Sequence, residues 1–288
     1  MSPGGDERSR APWGTGGSSR NGSADAQPIA RPPTLLTMLE GLRLGLEAST
    51  LALSSGLLLA SPRGDGHTVL VLPGFATDDR ATLLLRLFLQ SRGYDVRSWD
   101  LGWNLDHHTV GLNGEHLSER IRALHEETGR RVSLVGWSLG GVIAREAARR
   151  NPADVRQVVT LGSPFSGDPT ANSIRGLYEM LSGNRVDSPA SLARFAAGAT
   201  PLQVPSTAIF SRSDGIAAWE NCRAQVDAIS ENVEVHSSHM GMIAHPAVFH
   251  VVADRLAQPF GAWRPFARNG LFSIFYPVGG PGEGIQPA

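Results

Sequence analysis

The sequence is nearly free of cysteine. Cys222 stands alone, so no intramolecular disulfide can form and no site built on several thiolates is available. A single thiol suits a reducing compartment and sets the expectation of a cytoplasmic chain. Excess charge of one sign is lacking too. The formal net charge is −1, which leaves no electrostatic footprint for nucleic acid or another polyanion. Long apolar runs are absent: a transmembrane helix needs about 20 nearly uncharged apolar residues, and the most leucine-rich stretch, Thr34–Leu59, carries Glu40, Arg43 and Glu47. Met1–Pro33 has almost no apolar content and lacks the apolar core of a secretory signal peptide. Its Gly, Ser, Arg and Pro composition predicts a disordered tail, because it cannot bury enough apolar surface to offset its ordering entropy.

What is present, over 288 residues, is a regular alternation of apolar runs and helical patterns. Thr34–Leu59 reads as one or two helices packed on a domain, with a helix lying on a membrane surface as the sharper alternative. Buried strands are predicted at His67–Leu72, Tyr94–Trp99, Val132–Val135, Val155–Leu161, Pro205–Ser211 and Val233–Val235. Helices are predicted at Thr77–Arg92 (Leu83, Leu84, Leu87 and Phe88 on one face), Glu115–Thr128, Leu139 to about Arg150, Trp219–Ile229 and Pro246–Leu256. Asp100–Gly114 is a loop holding Trp103, His107 and His108. Ser166–Pro201 has no strand signal and two short helical patterns, near Ile174–Leu181 and Leu192–Ala197. The tail from Pro259 scatters Trp263, Phe266, Leu271, Phe272, Ile274, Phe275 and Tyr276 among glycines and prolines, so it either docks on the domain or stays exposed. Strands alternating with helices imply a parallel sheet with right-handed crossovers, whose ligands bind beyond the carboxyl ends of the strands. Phe75, Ser138, Phe165, Asp214 and His239 each follow a predicted strand and should therefore share one sheet edge.

The most informative stretch is Arg131–Ala148. An apolar run passes through Gly136-Trp137-Ser138-Leu139-Gly140-Gly141 into a helical pattern. This is G-x-S-x-G between a strand and a helix. A serine on so tight a turn is held in a strained backbone, and its neighbours two residues away must lack bulk. The turn lifts the hydroxyl above the sheet edge and leaves the Leu139 N–H at a helix N-terminus, where partial positive charge favours an oxyanion.

A serine hydroxyl is a weak nucleophile at neutral pH and needs a base held by a carboxylate. In this architecture the acid and then the base follow the serine in the chain. Asp214, in S-R-S-D-G just past a strand, is the chosen acid; Asp168 and Asp187 lie in the irregular segment and are weaker. An ordinary turn aspartate is the competing reading of Asp214. Of the four histidines that follow, His239 is the chosen base, in a loop after a short strand. His236, three residues earlier, is the open alternative. His245 is placed to cap a helix, and His250 falls inside one. Two backbone donors are needed for an oxyanion: Leu139 N–H, and Phe75 N–H in Pro73-Gly74-Phe75-Ala76. Phe75, Trp137 and Phe165 are the candidate substrate-binding side chains. No metal and no cofactor is called for by this chemistry.

Taken together, L-P-G-F at 72–75, G-W-S-L-G-G at 136–141, T-L-G-S-P-F-S-G at 160–167, S-R-S-D-G-I at 211–216 and S-H-M-G-M at 238–242 resemble the α/β-hydrolase superfamily, over roughly Leu70–Leu256. The G-S-P-F segment is similar to lipase-like and GPI inositol deacylase-like branches. The resemblance implies an α/β-hydrolase fold: a mostly parallel central sheet flanked by helices, with a small helical cap. It maps Ser138 to the nucleophile, Asp214 to the acid, His239 to the base, and Phe75 and Leu139 to the oxyanion hole. The implied organisation is a tail at 1–33, a helical segment at 34–60, the hydrolase domain at 61–258 with a cap inserted at 166–203, and a tail at 259–288. The expected activity is cleavage of carboxylic esters through an acyl-enzyme, on a small-molecule or lipid ester. An acyltransferase or thioesterase with the same residues, and a non-catalytic binding protein of the same fold, are the alternatives. The expected location is cytoplasmic, with membrane-surface contact through 34–60 left open.

Overall fold

A computed structural model describes residues 29–105, 109–111, 114–173, 175, 179, 185, 187–268, 273 and 276–277. Most of the Met1–Pro33 tail, His107 and His108, most of the Ile174–Leu181 pattern, and Leu271, Phe272, Ile274 and Phe275 lie outside the described residues.

The described strands are β1 (Thr68–Leu72), β2 (Asp95–Ser98), β3 (Val132–Trp137), β4 (Val155–Leu161), β5 (Ser206–Phe210) and β6 (Ser230–Glu234). They form one sheet of six, ordered β2-β1-β3-β4-β5-β6, with every neighbouring pair parallel. Such a sheet is covered on both faces, so its strands read as nearly continuous apolar runs. Alternate residues then serve opposite cores. Val69 and Val71 pack with Val135, Val159 and Val248 on one side. Leu70 and Leu72 pack with Leu134, Ile121 and Ile143 on the other. At roughly 1.5–3 kcal/mol per fully buried aliphatic side chain, these two layers dominate the stabilisation.

The helices that supply the layers are α3 (Leu83–Ser91), α4 (Glu115–Thr128), α5 (Leu139–Arg150) and α7 (Pro246–Leu256). α4, α5, α7, β3 and β4 fall where the periodicity placed them. On α3 the buried face is Leu85 and Leu89, while Leu83, Leu84 and Leu87 point to solvent. Of the predicted face only Phe88 packs on the core, stacked on Phe249, because the elements that meet the helix decide which of its apolar sides is covered. The helix expected over Trp219–Ile229 is a single 3-10 turn, Trp219–Cys222, followed by extended chain. Side chains there capture the backbone that a helix would use. Asn232 Oδ1 accepts the Ala224 N–H and its amide donates to the Ala224 carbonyl, and Asp227 accepts the Ile229 N–H.

The amino-terminal helices α1 (Thr34–Leu53) and α2 (Ser55–Leu58) pack on the domain. α1 does so with its polar side inward: Glu40 is its one buried residue. Leu35, Met38, Leu42, Leu46 and Leu53 are exposed. Among the described residues no helix is long and apolar enough to cross a membrane. In the carboxyl tail the described aromatics divide, with Phe260 exposed and Trp263 half-buried. Phe266 and Tyr276 are buried, and the Tyr276 hydroxyl donates to the Ala247 carbonyl.

Strand order reverses between β1 and β3, which makes that gap the switch point of the sheet. The loop after β1 and the turn after β3 therefore flank one crevice. α6 (Pro189–Gly198), the described helix of the 166–203 segment, is fastened to α5. Arg145 and Arg149 both donate to the Gly198 and Thr200 carbonyls.

Candidate active site

At the end of β3, Ser138 adopts φ 54° and ψ −124°, a left-handed conformation that costs a non-glycine residue about 1–3 kcal/mol. The surrounding glycines are where the chain folds back on itself. A Cβ on Gly136 would strike the Gly141 Cα, and one on Gly141 would strike the Ser163 hydroxyl. A Cβ on Gly140 would lie 2.5 Å from the Pro73 carbonyl and against that of Leu72, so β1 runs tight beside the start of α5. The turn is held by the Ser138 N–H on the Leu161 carbonyl at 2.9 Å. Leu139 is the first residue of α5, where the N–H has no acceptor within its own helix.

Asp214 and His239 meet beside this turn. His239 Nδ1 lies 2.7 Å from Asp214 Oδ2, and both residues are buried. A carboxylate only accepts, so Nδ1 carries the proton and Nε2 presents its lone pair. The other Asp214 oxygen accepts the Ile216 and Ala217 N–H groups at 2.8 and 2.7 Å. That is the turn-capping role weighed for Asp214 from the sequence, and it coexists with the pairing to His239. A Cβ on Gly162 would sit 3.2 Å from both Asp214 Oδ2 and His239 Nδ1, so the strand β4 end also closes on the pair. Trp137, next to Ser138, donates its indole N–H to the His239 carbonyl at 3.0 Å. His236, the alternative base, is exposed. His245 accepts the Ala247 N–H as a helix cap, and His250 pairs with Ser61.

Burial disfavours the charged imidazolium of His239. The Asp214 charge and hydrogen bond, with a smaller contribution from Glu40, outweigh that and raise its pKa above the ordinary 6.5. His245 is pushed the other way, to about 4, by burial and by nearby His236. It therefore stays neutral as an acceptor.

The loop after β1 is pinned by Asn104, which the sequence reading passed over. Its side-chain amide donates to the Pro73 carbonyl at 2.7 Å, its carbonyl accepts the Ala76 N–H at 2.7 Å, and its own N–H donates to the Thr77 carbonyl at 2.8 Å. Ala76 is left at φ 54°. Gly74 is needed because the Trp137 ring occupies its Cβ position at 2.7 Å. Phe75, half-buried, sits between these fixed points.

The three candidate pocket residues part ways. Phe75 stays at the crevice. Trp137 is spent on the His239 carbonyl and on Gly74. Phe165 is buried against Ala208, Ala224 and Val142, with the Arg145 guanidinium 4.1 Å from its ring centre. Among the described residues no group of three or more His, Cys, Asp or Glu side chains is placed to hold a metal ion.

Two carboxylates of α1 also reach the site. Glu40 and Glu47 bind the loops that carry Asp214 and His239. The signal was visible as Glu40, Arg43 and Glu47 spaced along one side of a leucine-rich helix. Whether that side faces solvent or protein cannot be read from spacing.

No protein-family model matches the chain. A pimeloyl-[acyl-carrier protein] methyl ester esterase from Aliivibrio fischeri (strain MJ11) is 31% identical over 90 residues, which is 30% of this chain and 34% of that protein. The chain thus matches about a third of the length of this curated relative. Among solved structures, lipase B of Aspergillus fumigatus superposes with a TM-score of 0.56 at 17% identity, over 70% of this chain and 56% of that one. A monoacylglycerol lipase of Paleococcus ferrophilus covers 67% of this chain and 96% of its own, at 17% identity and a TM-score of 0.47.

Proposed function

The chain has the α/β-hydrolase fold, and on that premise we propose that it is a serine hydrolase of carboxylic esters working through an acyl-enzyme. The observation that carries this reading is the buried Asp214–His239 pair at 2.7 Å, standing beside a serine at φ 54° on a strand-to-helix turn. In the proposed reaction His239 Nε2 takes the Ser138 hydroxyl proton as the oxygen attacks the ester carbonyl. Asp214 keeps Nδ1 protonated and stabilises the imidazolium that forms. The carbonyl oxygen gains negative charge and is met by the N–H groups of Leu139 and Phe75, the first aided by the α5 N-terminus. Collapse expels the alcohol, which receives the proton from His239. Water then enters by the same route in reverse, His239 acting as base and then acid, and releases the carboxylic acid.

An apolar acyl or alcohol part fits this reading, since the half-buried Phe75 flanks the crevice. Contact of residues 34–60 with a membrane surface belongs to the same proposal and is supported by the outward row Leu35, Met38, Leu42, Leu46 and Leu53.

The test is hydrolysis of p-nitrophenyl esters of increasing acyl length by wild type, Ser138→Ala and His239→Ala, with acyl transfer to a competing alcohol followed by product analysis. Turnover by wild type that both variants lose is expected. Equal rates for all three folded proteins would rule the reading out and leave a binding protein of this fold.

A further inference from the structure

Glu40 lies on α1, nearly two hundred residues before the histidine it touches, and is 3% exposed. Its Oε1 accepts the Gly215 N–H at 2.8 Å and the His239 N–H at 3.1 Å, and its Oε2 accepts the Met240 N–H at 2.9 Å. One carboxylate thus bridges the loop after β5, which carries Asp214, and the loop after β6, which carries His239. Burying a carboxylate costs several kcal/mol, so a residue that only filled space here would be apolar. All three donors come from the two loops.

The rest of the inner stripe repeats the arrangement. Glu47 accepts the Ser238 N–H at 2.8 Å and the hydroxyls of Ser237 and Ser238 at 3.0 Å each. Arg43, between them, donates to the Ser213 carbonyl at 2.6 Å and to its hydroxyl at 3.0 Å. Thr37 donates to the Gly215 carbonyl at 2.5 Å. A Cβ on Gly215 would lie 2.7 Å from Glu40 Oε1, and one on Gly241 would run into Glu47, so both loops carry glycine where α1 presses on them.

We propose that Glu40 is a positioning residue for the His239 base: through α1 it fixes the acid loop and the base loop at one separation and places a negative charge against the backbone of the imidazole. This rests on the reading of His239 as the base. The charged and titratable groups around that imidazole are Asp214 from the β5 loop and Glu40 from α1. Farther along α1 are Arg43 and Glu47, and beyond Asp214 is the buried Cys222 thiol, whose pKa is pushed well up by burial and then by Asp214. His236 is exposed, and Trp137, at the end of β3, and Met242 also approach but carry no charge.

The experiment uses the full chain carrying Glu40→Gln, with Glu40→Asp beside it, and reads two quantities. The first is the His239 imidazole titration by NMR, which needs no turnover. The second is p-nitrophenyl ester kinetics. Glu40→Gln keeps the shape, removes the charge and sets an amide donor against backbone donors. Expected are a His239 titration moved to lower pH, a kcat lower by about tenfold to a hundredfold, as for a reacting group displaced by up to ~1 Å, and a KM within about twofold of wild type. Glu40→Asp keeps the charge and shortens the reach, so its titration should stay nearer wild type while kcat falls. A folded Glu40→Gln that titrates and turns over like wild type, or that loses only thermal stability, overturns the proposal. If Glu40→Gln does not fold, a wild-type kcat in Glu40→Asp overturns it. If wild type and Ser138→Ala hydrolyse esters equally, the serine hydrolase reading fails, and the NMR titration still decides whether Glu40 acts on His239.

Discussion

Gly140→Ala sets two physical effects of opposite sign against each other. Gly140 is the second residue of α5, and alanine in place of glycine in a helix is favourable by up to about 1 kcal/mol on propensity alone. The structure opposes this. The added Cβ would lie 2.5 Å from the Pro73 carbonyl oxygen and 2.8 Å from the Leu72 carbonyl carbon, against roughly 3.5 Å for an unstrained contact. The atoms it meets are all backbone of Leu72 and Pro73, so no side chain can swing away. The end of β1 and the start of α5 would have to separate by roughly 1 Å to restore that spacing. Overpacking of this kind costs about 1–3 kcal/mol, so the net change is a destabilisation of up to ~2 kcal/mol after propensity is credited. Activity should suffer more. The residues that part are those carrying the Phe75 and Leu139 N–H groups, and a misplacement of about 1 Å at a reacting centre can cost a hundredfold. Urea unfolding and steady-state p-nitrophenyl butyrate hydrolysis measure the two effects. A variant as stable as wild type, with unchanged kcat, would refute the idea that the turn and the β1 loop are held in a fixed pair by this contact.

The proposed base gives a pH dependence with a definite sign. His239 must be neutral to accept a proton, and its pKa lies above the ordinary 6.5, so kcat/KM should fall on acidification through a midpoint above pH 6.5, where a midpoint below would contradict the pairing with Asp214. The outward row of α1 gives a second outcome. Replacing Leu42 and Leu46, both exposed, by glutamate should weaken sedimentation with phosphatidylcholine vesicles by more than tenfold, since each buried leucine contributes about 1.5–3 kcal/mol, while hydrolysis of a soluble short ester stays at the wild-type rate. Unchanged sedimentation would remove the membrane contact from the proposal.

Legibility in the sequence followed the reach of each interaction. β4, α4, α5 and α7 came out at their observed bounds because both period and stop signals are local: Gly129 ends α4, and Asn151 and Pro152 end α5. The strand-end residues Ser138, Asp214 and His239 were readable because a parallel sheet carries such positions to one edge whatever their separation. The burial of one face against another was not. Leu83, Leu84 and Leu87 looked like a core stripe and are exposed, since only the neighbouring elements determine which apolar side of a leucine-rich helix is covered. Glu40 and Glu47 looked like interruptions of a hydrophobic helix. Glu40 binds backbone N–H groups, which leave no mark in sequence, and Glu47 binds one more with the Ser237 and Ser238 hydroxyls, so the inverted amphipathicity of α1 becomes visible only when the base loop is in place. Asn104 escaped for the same reason, as its bonds run to the backbone at Pro73, Ala76 and Thr77.

In the proposed reaction Ser138 is a nucleophile activated by His239. The most direct measurement is reaction of the intact protein with a fluorophosphonate, followed by mass spectrometry of the adduct and of its peptides. Expected is one phosphonyl group per chain, carried by the peptide holding Ser138, with no adduct in Ser138→Ala and much slower formation in His239→Ala. An unmodified wild type that is folded, or an adduct on another residue, would contradict it.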